Sequence, residues 1–226
     1  MENQPDLTFY FAIHRAQRDS LSRYCDAVAS LTEPDRIERG KAMRRWAKGF
    51  ILELEEHHYA EDTFFFPSLR SKVASAGTIL DELETEHRHL DELLTRWTRV
   101  AKELADPAVP FATARSNATE LAGERFDFLR GHLEREDQDV LPLFWRHYTA
   151  AGYEAVVDRA VKKSKKAGMW FVAPFTVDCF TPGPEREAFL ASVPAVLRVL
   201  HRLVRPGYDR LAAKALGPVP TSSMAG

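Results

Sequence analysis

Cysteine is scarce in this chain of 226 residues. Only Cys25 and Cys179 occur, far apart and in no C-x-x-C arrangement. A disulfide framework is therefore not expected, and a reducing compartment fits better. Excess charge is missing too. The net charge is −2, which gives no bulk attraction to nucleic acid. No run of about 18 apolar residues occurs, so no membrane span is expected. The opening MENQPDLTFY has neither a basic region nor an apolar run. No secretory leader is read there, and the cytoplasm is the expected location. No segment alternates apolar and polar residues over strand lengths, so a sheet is not expected. Hydrophobic residues at 45% and charged residues at 28% remain an ordinary globular balance.

What is present is helical periodicity, almost throughout. A first helix is expected over about 7–31, with Asp6 as N-cap. Thr32-Glu33-Pro34-Asp35 then reads as a helix start, since a threonine can cap and proline costs nothing in a first turn. The second helix should reach about residue 66 and stop at Pro67, with Ser68–Gly77 a loop. Gly40 and Gly49 weaken it as one unbroken rod. A third helix spans about 78–105 up to Asp106-Pro107, and a fourth runs from Phe111 to about Leu141-Pro142. The class is thus all-α: an antiparallel up-down four-helix bundle over 1–150 with a C-terminal helical extension over 151–226. That extension reads as a basic-ended helix (Tyr153–Lys166), the apolar, proline-bearing MWFVAPFTVDCFTPGP, then short helices near 185–191, 193–204 and 208–216. Pro194 suits a first turn, and the tail PVPTSSMAG should be disordered.

An internal repeat carries the chemistry. His57, Glu61, Asp62 and Pro67 follow the pattern H-x3-E-D-x4-P, and His132, Glu136, Asp137 and Pro142 follow it again. Each copy has a histidine on the preceding helix: His14 lies 43 residues before His57, and His87 lies 45 before His132. Residues i and i+4 share a helix face, so each His/Glu pair can aim two ligand atoms at one point. Counting from the turns puts His14, His57, His87 and His132 at one height, roughly 25–30 Å from the connections at the far end. Four imidazoles with Glu61 and Glu136 suit two adjacent iron ions. Imidazole with carboxylate favours iron or manganese, and a zinc site usually closes with four ligands, often thiolates.

Several neighbours are weighed against these. His58 lies three residues before Glu61 and could replace His57, which the repeat favours. Tyr10, one turn before His14, reads as packing, although it could reach the metals. Tyr59 falls on the far side of its helix. His89, His147 and His201 lie outside the layer. Phe64-Phe65-Phe66, Trp46 and Trp97 read as core, and Lys162-Lys163-Ser164-Lys165-Lys166 as a solvated helix end.

EEHHYAEDTFFFP, GHLEREDQDVLP, FAIHRAQRDSL and ETEHRHLDEL resemble the ligand helices of the hemerythrin-like, or HHE cation-binding, family over about residues 7–145. The resemblance implies an antiparallel four-helix bundle holding an oxo- or hydroxo-bridged di-iron centre. It carries His14, His57, Glu61, His87, His132 and Glu136 over as ligands. Two positions depart from the oxygen carriers of the family. Where these have a second histidine one turn after the third-helix histidine, this chain has Asp91. Where they have an aspartate five residues after the fourth-helix histidine, it has Asp137 beside Glu136. Glu136 is favoured because it repeats the Glu61 spacing, and Asp137 is the alternative. Four histidines instead of five imply reaction with a small oxidant, hydrogen peroxide first, ahead of reversible oxygen carriage. The rival reading is a non-enzymatic oxygen, nitric oxide or iron sensor; iron storage fits less well. The extension could cap the metal end, restrict oxidant access or form a homodimer contact.

Overall fold

The computed structural model describes residues 4–163, 168–180, 182–192 and 195–217. Among them there are helices and no strands, as the periodicity requires. Four long helices precede the extension: α1 (Thr8–Ala29), α2 (Arg36–Ala60), α4 (Gly77–Leu104) and α5 (Phe111–Arg135). The short helices are α3 (Phe66–Lys72), α6 (Leu141–His147), α7 (Ala150–Lys163), α8 (Met169–Asp178) and α9 (Pro184–Ser192), and α10 spans Ala195–Leu216. No helix among the described residues is long and apolar enough to cross a membrane.

Side-chain bonds fix how the long helices run. Between α1 and α2, His14 meets His57 and Gln17 meets Glu53. Between α4 and α5, His87 meets His132 and Arg96 meets Glu124. Between α1 and α5, Arg115 reaches Ala29 while Asp137 meets His14. In each pair one number rises as the other falls, so these neighbours are antiparallel. Asp6 accepts the Thr8 amide at the start of α1. Thr32 donates instead to the Asp35 carboxylate, and α2 begins only at Arg36.

The second and fourth helices do not stop where the prolines stand. Glu61–Phe65 and Glu136–Val140 each form a π turn, and the chain then continues as α3 and α6. Phe66 N–H bonds to the Glu61 carbonyl and Leu141 N–H to that of Glu136, five residues back. An α-helix would drive the proline ring against the carbonyl four residues earlier. The widened turn moves that carbonyl away, and Pro67 and Pro142 sit in the first turn of the next segment, where no N–H is required. Most of the expected loop at Ser68–Gly77 is accordingly α3 and a 3-10 turn at Ala74–Ala76.

The extension packs into the same cores as the long helices. Tyr153, Val156 and Ala160 of α7 join Phe65, Phe66 and Phe144 at the metal-ligand end. Phe171 and Phe175 of α8 join Trp46, Phe50 and Trp97, and α10 adds Tyr208, Ala215 and Leu216. The apolar MWFVAPF segment is therefore helical. A Cβ on Gly49 would lie 2.3 Å from Phe171 Cδ2, so this glycine lets α8 touch α2 and α2 stays unbroken. The two helices expected at 193–204 and 208–216 are one, α10, with Pro206 inside it. Arg202, whose carbonyl loses its partner there, is exposed, so water can replace the bond. Pro194, the lysine run beyond Lys163 and the tail from 218 fall outside the described residues.

Candidate metal centre

The α2 buried stripe Met43, Ala47, Phe50, Leu54 continues to His58. On α4 the stripe is Leu83, His87, Leu90, Leu94. These spacings carry histidines into the interior on the same rows as the core leucines. Polar residues replace the hydrophobic core in this layer: His14, His58, Glu61, His87, His132 and Glu136 are all buried. His57, half-buried as a residue, keeps its ring inside.

The ligand atoms form two adjoining groups. One is His14, His57, Glu61 and Glu136, and the other is His58, His87 and His132; within each, all ligand atoms lie within 4.8 Å of one another. The carboxylates join them. Glu61 Oε1 is 3.3 Å from His57 Nε2, and its Oε2 is 3.5 Å from His87 Nε2. Glu136 Oε2 is 3.5 Å from His14 Nε2, and its Oε1 is 3.4 Å from His132 Nε2. Each carboxylate thus turns one oxygen to each group, the disposition of a bridging ligand.

Carboxylates also hold the outer nitrogens. His14 Nδ1 lies 2.7 Å from Asp137, His87 Nδ1 2.7 Å from Asp62, and His132 Nδ1 2.8 Å from Glu86. An ionised carboxylate only accepts, so each Nδ1 carries a proton and each Nε2 is the atom left facing inward for a metal. The repeated E-D dipeptide therefore splits its work: the glutamate faces the centre, and the aspartate orients the single histidine of the other hairpin. Arg18 braces Asp137 at 3.0 Å, and Arg135 braces Glu86.

These residues fit a pair of cations. His87 and His132 turn Nε2 atoms toward each other at 3.1 Å, and His14 and His57 at 3.2 Å. Two facing lone pairs repel, and so do two facing N–H groups, whereas metal–imidazole bonds of roughly 2.1 Å at a right angle put two nitrogens about 3 Å apart. Both nitrogens of His58, Glu61 Oε2 and both oxygens of Glu136 are buried with no hydrogen-bond partner. Such atoms are costly unless something coordinates them. Burial, with neighbouring imidazoles, pushes His57 and His58 well below the usual histidine range, so they stay in the neutral, ligating form. Burial also opposes charge on His87 and His132, but Asp62 with Glu136 raises the first to about 10, and Glu136 with Glu86 raises the second to about 9. A cation entering the centre displaces those protons. Tyr10 is buried against the His14 ring and donates its hydroxyl to Glu61 Oε1. Burial and the adjacent Glu61 push this phenol well above its ordinary value, so it keeps its proton.

With this geometry established, comparison with family models matches residues 7–144 to the hemerythrin HHE cation binding domain. The chain belongs to that family. Searches of curated proteins and of solved structures gave no match.

Within this HHE domain the structure brings together all six residues singled out by the repeat, and it adds a seventh. His58 and His57 are not alternatives. His57 turns toward His14, while His58 stacks on the His87 ring at 4.2 Å. The missed signal was the α2 stripe, which reaches His58 in its own register. Asp91 is not in the layer; it is exposed, because Leu90 and Leu94 occupy the inward row of α4. Asp137 contacts the outer nitrogen of His14 and not the centre. Tyr59, His89 and His147 are exposed, and Phe65, Phe66, Trp46 and Trp97 are core. Glu86 has no counterpart in the repeat and could not be read from it.

Proposed function

We propose that the chain is a non-haem di-iron protein, built on an up-down four-helix bundle over residues 1–150, which decomposes hydrogen peroxide. His14 and His57 would hold one iron, His58, His87 and His132 the other, and Glu61 and Glu136 would bridge them. The observation that carries the reading is the Tyr10 hydroxyl, protonated and seated on Glu61 beside the group with fewer imidazoles. A pair of irons supplies exchange of two electrons, which is what conversion of two peroxides into dioxygen and two waters requires. The chain does the rest. Burial excludes water, Asp62, Asp137 and Glu86 fix the imidazoles, and Tyr10 can give a proton to a departing oxygen and recover it through Glu61.

His58 supports a second reading. Five imidazoles saturate the pair more fully than four and favour reversible binding of dioxygen or nitric oxide by a sensor. Iron analysis and oxygen evolution from peroxide separate the two. The expected result is two irons per chain and turnover well above free iron, falling by about 10²-fold or more in Tyr10→Phe with iron content unchanged. Background turnover, with an oxygenated species that releases dioxygen under vacuum, favours the sensor. One iron per chain, or preference for a single zinc, rejects both.

A further inference from the structure

Away from the metal layer, the core contains a cation with no counterion. Arg125 on α5 is 1% exposed, yet no carboxylate pairs with it among the described residues. Its guanidinium lies 3.2 Å from the centre of the Trp97 ring and 5.5 Å from that of Tyr24. Tyr24 meets Trp97 at 4.8 Å and Trp46 at 5.7 Å between ring centres. These side chains bring donors and little else. Arg125 Nε and Nη2 and Trp46 Nε1 are sealed from solvent without a hydrogen-bond partner, and the Trp97 indole N–H and the Tyr24 hydroxyl, equally buried, have only each other.

Burying one such donor costs about 1–3 kcal/mol, and an unpaired charge costs more. Ring faces satisfy part of the guanidinium but not its in-plane N–H groups. Water is a poor remedy, because the Tyr24 oxygen is the one acceptor these side chains offer to its two protons, and it already faces the Trp97 indole N–H. An anion accepts from every side and cancels the charge. We propose that this cluster binds a small monovalent inorganic anion of halide size, held by Arg125, Tyr24 and the indole N–H groups of Trp46 or Trp97. By helical rise the site lies roughly 10–16 Å from the metal layer, so it is separate from the candidate centre.

The test is thermal unfolding of the full chain in sodium chloride or bromide against sodium gluconate at equal ionic strength. Binding to the folded state should raise Tm in halide by roughly 3–6 °C per tenfold concentration above Kd. The dependence should vanish in Arg125→Met. If that variant does not fold, Tyr24→Phe, which keeps the cation and drops one donor, should weaken the dependence. A crystal grown in bromide should show an anomalous peak at hydrogen-bond distance from Arg125 Nε. Coincident halide and gluconate curves overturn the proposal, as does undiminished dependence in Tyr24→Phe or a crystal with water or nothing at that position.

Discussion

Glu53 stands one turn before His57 on α2, sealed from solvent, with the Gln17 amide donating to it at 3.2 Å. Burial raises its carboxyl from 4.5 to about 8, against the opposing Gln17 bond. The folded chain therefore holds a proton that the unfolded chain has already released, and stability falls as pH rises between about 4.5 and 8. Over that window the loss is on the order of a few kcal/mol. Glu53→Gln removes the titration, so its melting temperature should decline less than the parent's between pH 5 and 8. Parallel curves would show that Glu53 is ionised when folded. Residues at this scale were legible where they repeat. His57 and His132 with their glutamates announce themselves by spacing, whereas His58 has Leu133 as its counterpart in the second copy, and Glu86 acts through an outer nitrogen that no spacing records.

Helix positions followed from periodicity, but endings did not. Proline was read as a stop at residues 67 and 142, and a break was placed between 204 and 208, where Pro206 stands; in each place the chain continues as helix. Two of these depend on π turns, which add one residue per turn and leave the apolar pattern on either side intact. The third depends on solvent at the exposed face of α10. Glycine was misread in the same sense: Gly49 marks a close approach, because Phe171 fills the space of its missing side chain. Gly49→Ala should force α8 away from α2 and cost about 1–3 kcal/mol, read as a lower denaturation midpoint. Gly123→Ala, where nothing lies within 4 Å, should be neutral or slightly stabilising. Equal effects of the two would mean that α8 does not rest on α2.

The boundary near residue 150 was drawn from a change in sequence character, and the packing cuts across it. α7 covers the end of the molecule that carries the π turns, and α8 and α10 cover Trp46 and Phe50 on α2. A chain ending at residue 150 keeps every candidate ligand but uncovers both cores. It should melt well below the full chain and bind a hydrophobic dye such as ANS, even with iron present. An unchanged melting temperature would show that the first 150 residues form a self-sufficient unit. The pairing of neighbouring helices was legible because His14, His57, His87 and His132 fall at one height when counted from the connections, a constraint that links distant parts of the sequence. The placement of the extension obeys no such count.

The two hairpins exchange aspartates, Asp62 to His87 and Asp137 to His14, so the repeat in the sequence is also a repeat in the layer of ligands. His58 opposite Leu133 breaks it. Two equivalent, weakly coupled irons would offer an added electron no preferred site and would show closely spaced reduction steps. In the proposed centre, three imidazoles on one side and two on the other would make the two irons unequal, giving the first added electron a preferred site and setting the two reduction potentials further apart. Potentiometric titration of the iron-loaded chain should resolve two waves, and His58→Leu should draw them together. One unsplit wave in the parent would mean that His58 does not distinguish the two metals.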